Sequence, residues 1–236
     1  MFELPLNVKA PWYITDYKLD SISKNLDIWL DFRRGSKFPY PKCGKPNCSA
    51  YDTKEKVLRH IDYFNYATYL HCKVPRVKCS NCGILQIEVP WAREQSGFTL
   101  QMEAMILELA KRMPVLQVGN LLGEHDTRLW RVIHHYVGEA RSNEDFSDVF
   151  VVGIDETSSK KGHEYITLVV DNKDSKVIFA CEGKDSSTVT SFSEDLQNHN
   201  GNPSNIKSVC CDMSPSYISG ISKGLPNQKL HSTNFM

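Results

Sequence analysis

The pattern of hydrophobic and polar residues changes period twice along the chain. In the first 95 residues the apolar positions form short, β-rich runs, and WYITDYKLD and LDIWLDFRRG, separated by SISKN, predict two strands or a hairpin. The later stretch YATYLHCKVPRVKC alternates between polar and apolar residues and predicts two further strands. A helical period begins at Thr99, and strand-like runs return after Asp148. These changes predict β-rich regions at the front and back of the chain with a helical segment between them.

Three helices are predicted between Thr99 and Ser142. The first closes at Pro114, the second ends at Gly123, and the third, DTRLWRVIHHYVGEAR, opens on Asp126 as an N-cap. The residues predicted to face inward on the third helix are Leu129, Ile133, Tyr136 and Val137. Its other side carries Arg128, Arg131, His134 and His135. This is a helix-turn-helix pattern, in which the third helix would lie in the DNA major groove. These four side chains are the predicted DNA-binding residues of the helix, with Arg128 and Arg131 near bases or phosphates. The alternative is an ordinary three-helix packing or dimerisation unit.

Two apolar runs in the last third of the chain end on a carboxylate, Asp155 after VVGI and Asp212 after VCC. The predicted strands here are 149–155, 164–171, 176–181 and 206–212, with a helix over 187–198. A right-handed strand–helix–strand crossover places the returning strand parallel to the first, so that the two acids meet. Such a pair can share Mg²⁺ or Mn²⁺, the machinery of phosphodiester cutting and joining. The alternative is that both acids are helix caps or turn residues.

The cysteines point to a second metal. Eight cysteines follow no disulfide-like framework, which indicates reduced thiols in a cytoplasmic protein. The run Cys79-Ser-Asn-Cys82-Gly has the geometry of a zinc knuckle, and Cys43 and Cys48 are its predicted partners at a spacing that zinc sites allow. His60 or Cys72 are further candidate ligands, and free buried thiols are the alternative.

Charge is distributed unevenly although the formal net charge is zero. Residues 1–98 hold 15 basic against 10 acidic side chains, and residues 143–236 hold 8 against 13. A basic front and an acidic back suit a chain that grips phosphates with one part and holds metal with the other, although surface charge for solubility is the alternative. No apolar run is long enough for a membrane span, and no signal peptide is recognised, so we expect a cytoplasmic protein without a membrane partner.

Several stretches resemble one protein family. VGIDETSSKKGHEY, EGKDSSTV and CCDMSPSYI are similar to the catalytic domain of bacterial ISL3 insertion-sequence transposases, which has an RNase H-like fold and a DDE triad. The resemblance extends upstream through RHIDYFNYATYLHCKVPRVKCSNCG, VPWAREQSGFTL and DTRLWRVIHHYV, and so covers the chain from about Phe38 onward. It implies a transposase that binds the double-stranded terminal inverted repeats of its element and cuts and transfers DNA strands with Mg²⁺ or Mn²⁺.

The resemblance also assigns residues. Asp155 and Asp212 become the first and second catalytic carboxylates and magnesium ligands. Lys160 and Lys161, in the turn after Asp155, would meet DNA phosphate, and a solvated loop is the alternative. FPYPKCGK matches a family CPxCG turn, except that Tyr40 stands where the first cysteine is expected, which would weaken zinc binding.

The expected architecture is multidomain α+β. We expect a β-rich lead-in over 1–37, a zinc ribbon over 38–95, a helix-turn-helix over 99–142 and the N-terminal half of an RNase H-like domain over 148–236. No Asp or Glu follows Asp212, and the resemblance fails after GISKGLPNQK, which suggests a frameshift in the gene and a truncated product inactive by itself. The alternative function is a DNA-binding remnant that occupies transposon ends and represses transposition. We also expect that the chain forms a homo-oligomer or a complex with intact transposase.

Overall fold

The computed structural model describes residue 6 and the ranges 8–160, 164–212, 215–225 and 227–232. The chain divides into two compact units, Met1–Tyr136 and Val137–Met236. Each unit combines a sheet with helices, so the mixed α and β content expected from the sequence is confirmed. Within the described ranges, every helix is too short or too polar to cross a bilayer.

The first unit contains a six-stranded sheet. Its strands are β1 (Trp12–Asp20), β2 (Asn25–Phe32), β3 (Lys37–Phe38), β4 (Cys48–Tyr63), β5 (Tyr66–Cys79) and β6 (Gly83–Gln86). They lie in the order β1-β2-β5-β4-β3, and β6 also pairs with β5. Strands β2 and β5 run parallel, while the other pairs are antiparallel. The predicted front hairpin, β1 and β2, therefore belongs to the same sheet as the strands that carry the cysteines.

One continuous strand, β5, replaces the two strands predicted for YATYLHCKVPRVKC, and that prediction is wrong. Buried residues alternate without a break through Leu70, Cys72 and Val74, so the same face keeps packing on the core. Pro75 lies inside the strand, where its carbonyl accepts the N–H of Ile87 at 3.1 Å. The strand continues past the proline because the pairing with β4 continues, although the buried positions change there from Leu70, Cys72 and Val74 to Val77 and Cys79.

Three helices follow the first sheet along the chain: α1 (Leu100–Ala110), α2 (Val115–Leu122) and α3 (Asp126–Ser142). The boundary between the two units, after Tyr136, falls within α3. The Thr99 side chain caps α1 by accepting the N–H of Met102, and α2 ends at Gly123, whose φ of 66° is left-handed. The buried residues of this helical layer are Phe98, Met102, Ile106, Val118, Leu122, Leu129 and Val132. The three-helix pattern predicted from the sequence is present.

The inward face of α3 differs from the predicted one. Val132 is almost fully buried, Ile133 and Tyr136 are half-buried, and Val137 is 56% exposed. At 3.6 residues per turn, Val132, Ile133 and Tyr136 lie within about 60° of Leu129 around the helix axis, whereas Val137 lies about 80° away. The prediction that Val137 faces inward is wrong because it falls beyond the edge of the apolar stripe.

The second unit contains a five-stranded sheet in the order β11-β10-β7-β8-β9. Its strands are β7 (Val151–Lys160), β8 (Glu164–Asp171), β9 (Lys176–Glu182), β10 (Ser208–Cys211) and β11 (Lys229–Ser232). β7, β8 and β9 form an antiparallel meander, and β10 is parallel to both β7 and β11. Helix α4 (Ser186–Asn198) and a 3-10 turn (Pro203–Asn205) connect β9 to β10.

Strand β7 does not end at Asp155 as predicted but continues to Lys160. The alternating residues after Asp155 keep pairing with β8, and Asp155 itself lies opposite Leu168. On its other side β7 pairs with β10 only up to Ile154, which lies opposite Cys211. Asp155 is therefore inside a strand, at the level where the neighbouring parallel strand stops.

Helices α4 and α5 (Pro215–Gly224) pack together over one face of this sheet. The buried residues include Val152, Ile154, Phe192, Leu196, Val209, Tyr217 and Ile221. Gly220 allows the close approach of the helices, because a Cβ there would lie 2.9 Å from the carbonyl oxygen of Ser186 and 3.0 Å from the Cβ of Val189. Among the described side chains of β7, Val152 and Ile154 belong to this core, and the odd-numbered Gly153, Asp155 and Thr157 lie outside it.

Candidate metal and DNA-binding sites

Three of the four predicted zinc ligands come together. The sulfur atoms of Cys43, Cys79 and Cys82 all lie within 4.8 Å of one another. Cys79 is the last residue of β5, and the three-residue turn Ser80–Cys82 returns the chain at Gly83, where a φ of 87° favours glycine. Among the described residues, no fourth His, Cys, Asp or Glu atom joins this group.

The environments of the two knuckle thiols differ. The backbone N–H of Asn81 is the main cause that lowers the pKa of Cys79. Burial is the main cause that raises the pKa of Cys82, and hydrogen bonds to Cys43 and Cys79 act in the same direction. Of these two thiols, Cys79 is the one whose surroundings favour the thiolate, which is the form of cysteine that binds metal.

Cys48 is not part of the sulfur cluster. It is buried, and its sulfur donates to the carbonyl oxygen of Lys45 at 3.6 Å. The two alternative ligands also lie elsewhere in the sheet. His60 is hydrogen-bonded through Nδ1 to Thr99 Oγ1 at 2.8 Å, and Cys72 is a buried core residue of β5. The spacing of cysteines in the sequence did not reveal that Cys48 begins a strand whose side chain turns into the core.

Tyr40 is fully buried beside the cysteines. Its hydroxyl donates toward the carbonyl oxygens of Cys82 at 3.0 Å and Gly83 at 3.2 Å. Its own backbone forms a tight turn, in which Gly44 N–H donates to the Tyr40 carbonyl at 2.9 Å. Burial is the main cause that raises the pKa of Tyr40, and the neighbouring Cys82 adds to it. The phenol is therefore a neutral hydrogen-bond donor that ties one cysteine turn to the other.

The predicted DNA-binding residues on α3 separate into two groups. Arg131, His134 and His135 are exposed. Trp130, which the sequence reasoning missed, is 44% exposed, and its ring centroid lies 5.7 Å from that of His134. Thr127, Trp130, Arg131 and His134 follow helical spacing, so they form one exposed stripe along α3. An exposed aromatic residue within a charged stripe is the signal that identifies this surface.

Arg128 is held by the fold. Its guanidinium pairs with Glu124, lies 4.4 Å from the centroid of the Phe98 ring and reaches the Gly97 carbonyl at 3.5 Å. The Glu124 side chain is only 5% exposed. Arg128 therefore anchors the start of α3 through contacts within the first unit.

Buried ion pairs connect the helices to the sheet within the first unit. Arg59 of β4 is 3% exposed and lies 3.4 Å from Glu124. Glu103 of α1 is fully buried. Its Oε1 lies 2.9 Å from Arg93 Nε, and its Oε2 accepts a hydrogen bond from the Tyr136 hydroxyl at 2.8 Å. The sequence reasoning missed these residues, because isolated charges in a sequence normally indicate surface positions. They fix the orientation of α3 relative to the sheet.

The structure brings the two predicted catalytic acids to the same level of the second sheet. Cys211 pairs with Ile154 in parallel register, and Asp212 and Asp155 each follow directly. Ile154 and Cys211 are buried under the helices, whereas Asp155 and Asp212 are exposed. Asp155 accepts the N–H of Glu156 at 2.8 Å, and in the described part of the chain neither acid forms an ion pair. Lys161 and the side chain of Lys160 lie outside the described residues.

Glu156 lies on the helix-covered face, as its position next to Asp155 in a strand requires. Its Oε2 accepts a hydrogen bond from the Tyr217 hydroxyl at 3.0 Å, and the Tyr217 hydroxyl oxygen lies 3.0 Å from that of Thr167. Burial raises the pKa of Tyr217 to about 12. This network, which the sequence reasoning missed, fixes β7 and α5 to each other beside Asp155.

Three family models match the chain in order. Residues 41–82 match the zinc finger of transposases IS204, IS1001, IS1096 and IS1165, and residues 87–137 match the helix-turn-helix domain of the transposase family ISL3. Residues 152–235 match the ISL3 transposase domain of the DDE type. These matches cover the cysteine cluster, the three helices and the second sheet.

Individual proteins give the same result. The transposase for insertion sequence element IS1557 of Mycobacterium tuberculosis is 28% identical over 162 residues, which are 66% of this chain and 35% of that protein. The transposase for element IS1001 of Bordetella parapertussis is 26% identical over 184 residues, which are 75% of this chain and 43% of that protein. The chain thus spans less than half the length of these relatives.

A solved structure is also similar, at a lower level. A chain of the simian T-cell lymphotropic virus intasome in complex with PP2A regulatory subunit B56 gamma is 14% identical, with coverage of 55% of this chain and 51% of that one. The TM-score is 0.27, which is too low to support a statement about the fold.

Proposed function

The chain belongs to the ISL3 family of insertion-sequence transposases, and we propose from this that its first unit recognises the ends of a mobile DNA element while its second unit holds a divalent cation for phosphodiester chemistry. The observation that carries the proposal is the parallel pairing of β7 and β10. In that pairing Cys211 lies opposite Ile154, so that Asp155 and Asp212 follow at the same level, and both side chains are exposed.

We propose that the second unit has an RNase H-like fold. Its three-strand antiparallel meander, with two parallel strands added beside the first strand, supports this assignment. The helix α4 between β9 and β10 supplies the crossover that makes β10 parallel to β7. In this fold the acids of the first and fourth strands of the sheet are the shared cation ligands.

Asp155 and Asp212 fit Mg²⁺ or Mn²⁺ because both cations prefer hard carboxylate oxygens. The exposure of both side chains leaves their oxygens free of the core and accessible to a cation and to a DNA phosphate. A cation bound there supplies Lewis-acid polarisation of the phosphate and activation of a hydroxyl nucleophile. Glu156 contributes differently, since its carboxylate accepts from Tyr217 on the opposite face and so supports the position of β7.

For DNA, we propose that the exposed stripe of α3 enters the major groove of the terminal inverted repeats. Arg131 is the side chain on this stripe best suited to a phosphate or a guanine edge. Arg128 has the separate task of fixing the helix, through Glu124 and the Phe98 ring. The family match of residues 87–137 to a helix-turn-helix domain supports DNA binding by this helical segment.

We propose a structural zinc ion at Cys43, Cys79 and Cys82. Three thiols within 4.8 Å suit tetrahedral zinc, in which Zn–S bonds of about 2.3 Å place sulfur atoms about 3.8 Å apart. The match of residues 41–82 to a zinc finger supports the same ion. Zinc would fasten the β5–β6 turn to the turn at Cys43, so chelation should loosen this end of the sheet.

Mn²⁺ binding to the 236-residue chain tests the proposed acid pair. Electron paramagnetic resonance measures free Mn²⁺ in the presence of wild type, Asp155→Asn and Asp212→Asn, and Asp174→Asn, in an exposed turn, is the control. We expect each of the first two variants to weaken binding about tenfold or more, and the control to match wild type. Equal binding by all four proteins would remove the acid pair from the proposal.

A further inference from the structure

The sulfur cluster holds one ligand fewer than a closed structural zinc site. Structural zinc is almost always bound by four protein side chains, whereas sites with three protein ligands keep a position for water or another small ligand. Among the described residues, Cys43, Cys79 and Cys82 form a group of three without a fourth cysteine, histidine or carboxylate. Cys43 is exposed, so one side of the group faces solvent.

Tyr40, which stands where the family resemblance expects a cysteine, is hydrogen-bonded to the protein backbone. Tyr40 directs its hydroxyl toward the carbonyl oxygens of Cys82 and Gly83, at 3.0 and 3.2 Å. Both acceptors belong to the backbone of the opposite cysteine turn, so the phenol joins the two turns without a metal. A phenol that donates its proton to a carbonyl is a poor ligand for a thiolate-bound cation.

Cys48 has a separate role as well. Its sulfur donates toward the carbonyl oxygens of Lys45 and Pro46, at 3.6 and 4.0 Å, and the residue is buried at the start of β4. It pairs in the sheet with Phe38. To become a ligand, Cys48 would have to leave this core position.

We propose that the ribbon holds its metal with three thiolates and an exchangeable fourth ligand, and that Tyr40 replaces the missing protein ligand mechanically by bridging the two turns. This inference rests on the zinc ion in the proposed function. The fourth position would take a small monodentate ligand from solution. Water would bind there by default, and an imidazole or a low-molecular-weight thiol would replace the water when one is present. A fourth cysteine would both connect the two turns and complete the coordination of the metal. Here Tyr40 connects the turns, and a ligand from solution completes the coordination.

Cobalt(II) substitution of the purified full chain tests the inference, because the visible spectrum of Co²⁺ reports the number and type of its ligands. We expect a thiolate charge-transfer band that saturates at one Co²⁺ per wild-type chain, and ligand-field bands that shift saturably when imidazole is added. Tyr40→Cys should give a stronger charge-transfer band, and its spectrum should not respond to imidazole. These two spectra together would establish an open position that a fourth cysteine closes.

Two further variants exclude other fourth ligands. Tyr40→Phe should keep the wild-type Co²⁺ spectrum and its imidazole shift, while the metal-free protein unfolds at a lower temperature because the bridge between the turns is lost. Cys48→Ser should leave the spectrum unchanged. A spectral change in Tyr40→Phe would make Tyr40 a ligand, and a weaker charge-transfer band in Cys48→Ser would make Cys48 one. Either result would overturn the inference but leave the zinc ion in place.

Failure of the zinc proposal would look different. In that case wild type and Tyr40→Cys would both show no thiolate charge-transfer band at one equivalent of Co²⁺, and the thiols would react with a thiol reagent at the same rate with and without metal. If Co²⁺ binds the thiolates of wild type one to one but its spectrum does not change with imidazole, the open fourth position is contradicted. The proposed zinc ion would still stand in that case.

Discussion

Two carboxylates, one in each unit, have opposite surroundings. Glu103 in the first unit is fully buried and contacts Arg93 and Tyr136, so its charge is satisfied inside the protein. Asp155 in the second unit is exposed, and the contact found for it is the N–H of its neighbour Glu156. The first unit therefore uses charge to fix one helix orientation, while the second leaves carboxylate oxygens available to a ligand.

The largest expected effect comes from removing a buried charge in the first unit. Glu103→Ala would leave Arg93 without its partner and Tyr136 without its acceptor, and we expect a loss of about 3–5 kcal/mol in the free energy of unfolding. The control is Glu108→Ala, which removes an exposed carboxylate from the same helix and should cost at most about 0.5 kcal/mol.

Urea unfolding followed by tryptophan fluorescence measures this difference selectively. All four tryptophans, Trp12, Trp29, Trp91 and Trp130, lie in the first unit. If Glu103→Ala and Glu108→Ala unfold at the same urea concentration, the buried pairs do not hold the helices on the sheet.

A pH effect is expected next in size. Burial lowers the pKa of His60 to about 4, and Arg59 adds to this effect. Thr99 Oγ1 accepts the N–H of Met102, so its own proton is free to donate to a neutral His60 Nδ1. The folded pKa is below the unfolded value of about 6.5, so this contribution to stability is complete above about pH 6.5 and is lost as pH falls toward 4.

The change should amount to no more than about 3 kcal/mol and should appear in tryptophan-detected unfolding at pH 7 compared with pH 4.5. His60→Gln, which keeps polar atoms near Thr99 but does not titrate, should flatten this dependence. An unchanged pH profile in His60→Gln would assign the acid sensitivity to other groups.

In the second unit, the tight helix pair provides the next test. Gly220→Ala places a Cβ against Ser186 and Val189 and should cost about 1–3 kcal/mol by overpacking. Gly138→Ala is the matched control, because a Cβ there meets nothing within 4 Å and alanine favours a helix by about 1 kcal/mol. Hydrogen exchange of the α4 and α5 amides should accelerate in Gly220→Ala, and no acceleration would mean that the helices can separate without cost.

The smallest expected effect is at the Tyr217 network. Tyr217→Phe removes the hydroxyl that Glu156 and Thr167 share, with an expected loss of about 1 kcal/mol in thermal unfolding of the second unit. Mn²⁺ binding should change by less than twofold, because Glu156 lies on the face of β7 opposite to Asp155. A loss of Mn²⁺ binding as large as that in Asp155→Asn would show that Glu156 positions the cation site directly.

The sequence predicted those features that depend on local periodicity and short spacings. The front hairpin, the three helices and the parallel return of the strand before Asp212 are all present. The pair Cys79 and Cys82 is joined by Cys43 as expected, since the two-residue spacing constrains both sulfurs.

Features that depend on long-range packing were not predictable in this way. Cys48 turns into the core because β3 pairs with β4 there, a contact that cysteine spacing does not encode. Val132 is buried because it packs in one core cluster with residues of α1 and α2. The spacing of apolar residues in α3 does not fix the rotation of the helix about its axis closely enough to predict this. Arg59 and Glu124 are 65 residues apart in sequence, and each alone resembles a surface charge.

DNA binding by Arg131→Ala tests the proposed role of α3 most directly. The probe is a duplex with the terminal inverted repeat of the element that encodes the chain, titrated at several salt concentrations beside a scrambled duplex. Arg112→Ala is the control, because Arg112 is an exposed arginine on the first unit outside the α3 stripe. We expect wild type to prefer the repeat, with affinity that falls steeply as salt rises. Arg131→Ala should bind the repeat about tenfold more weakly, and Arg112→Ala should match wild type. Equal binding of both variants and both duplexes would contradict recognition of transposon ends by α3.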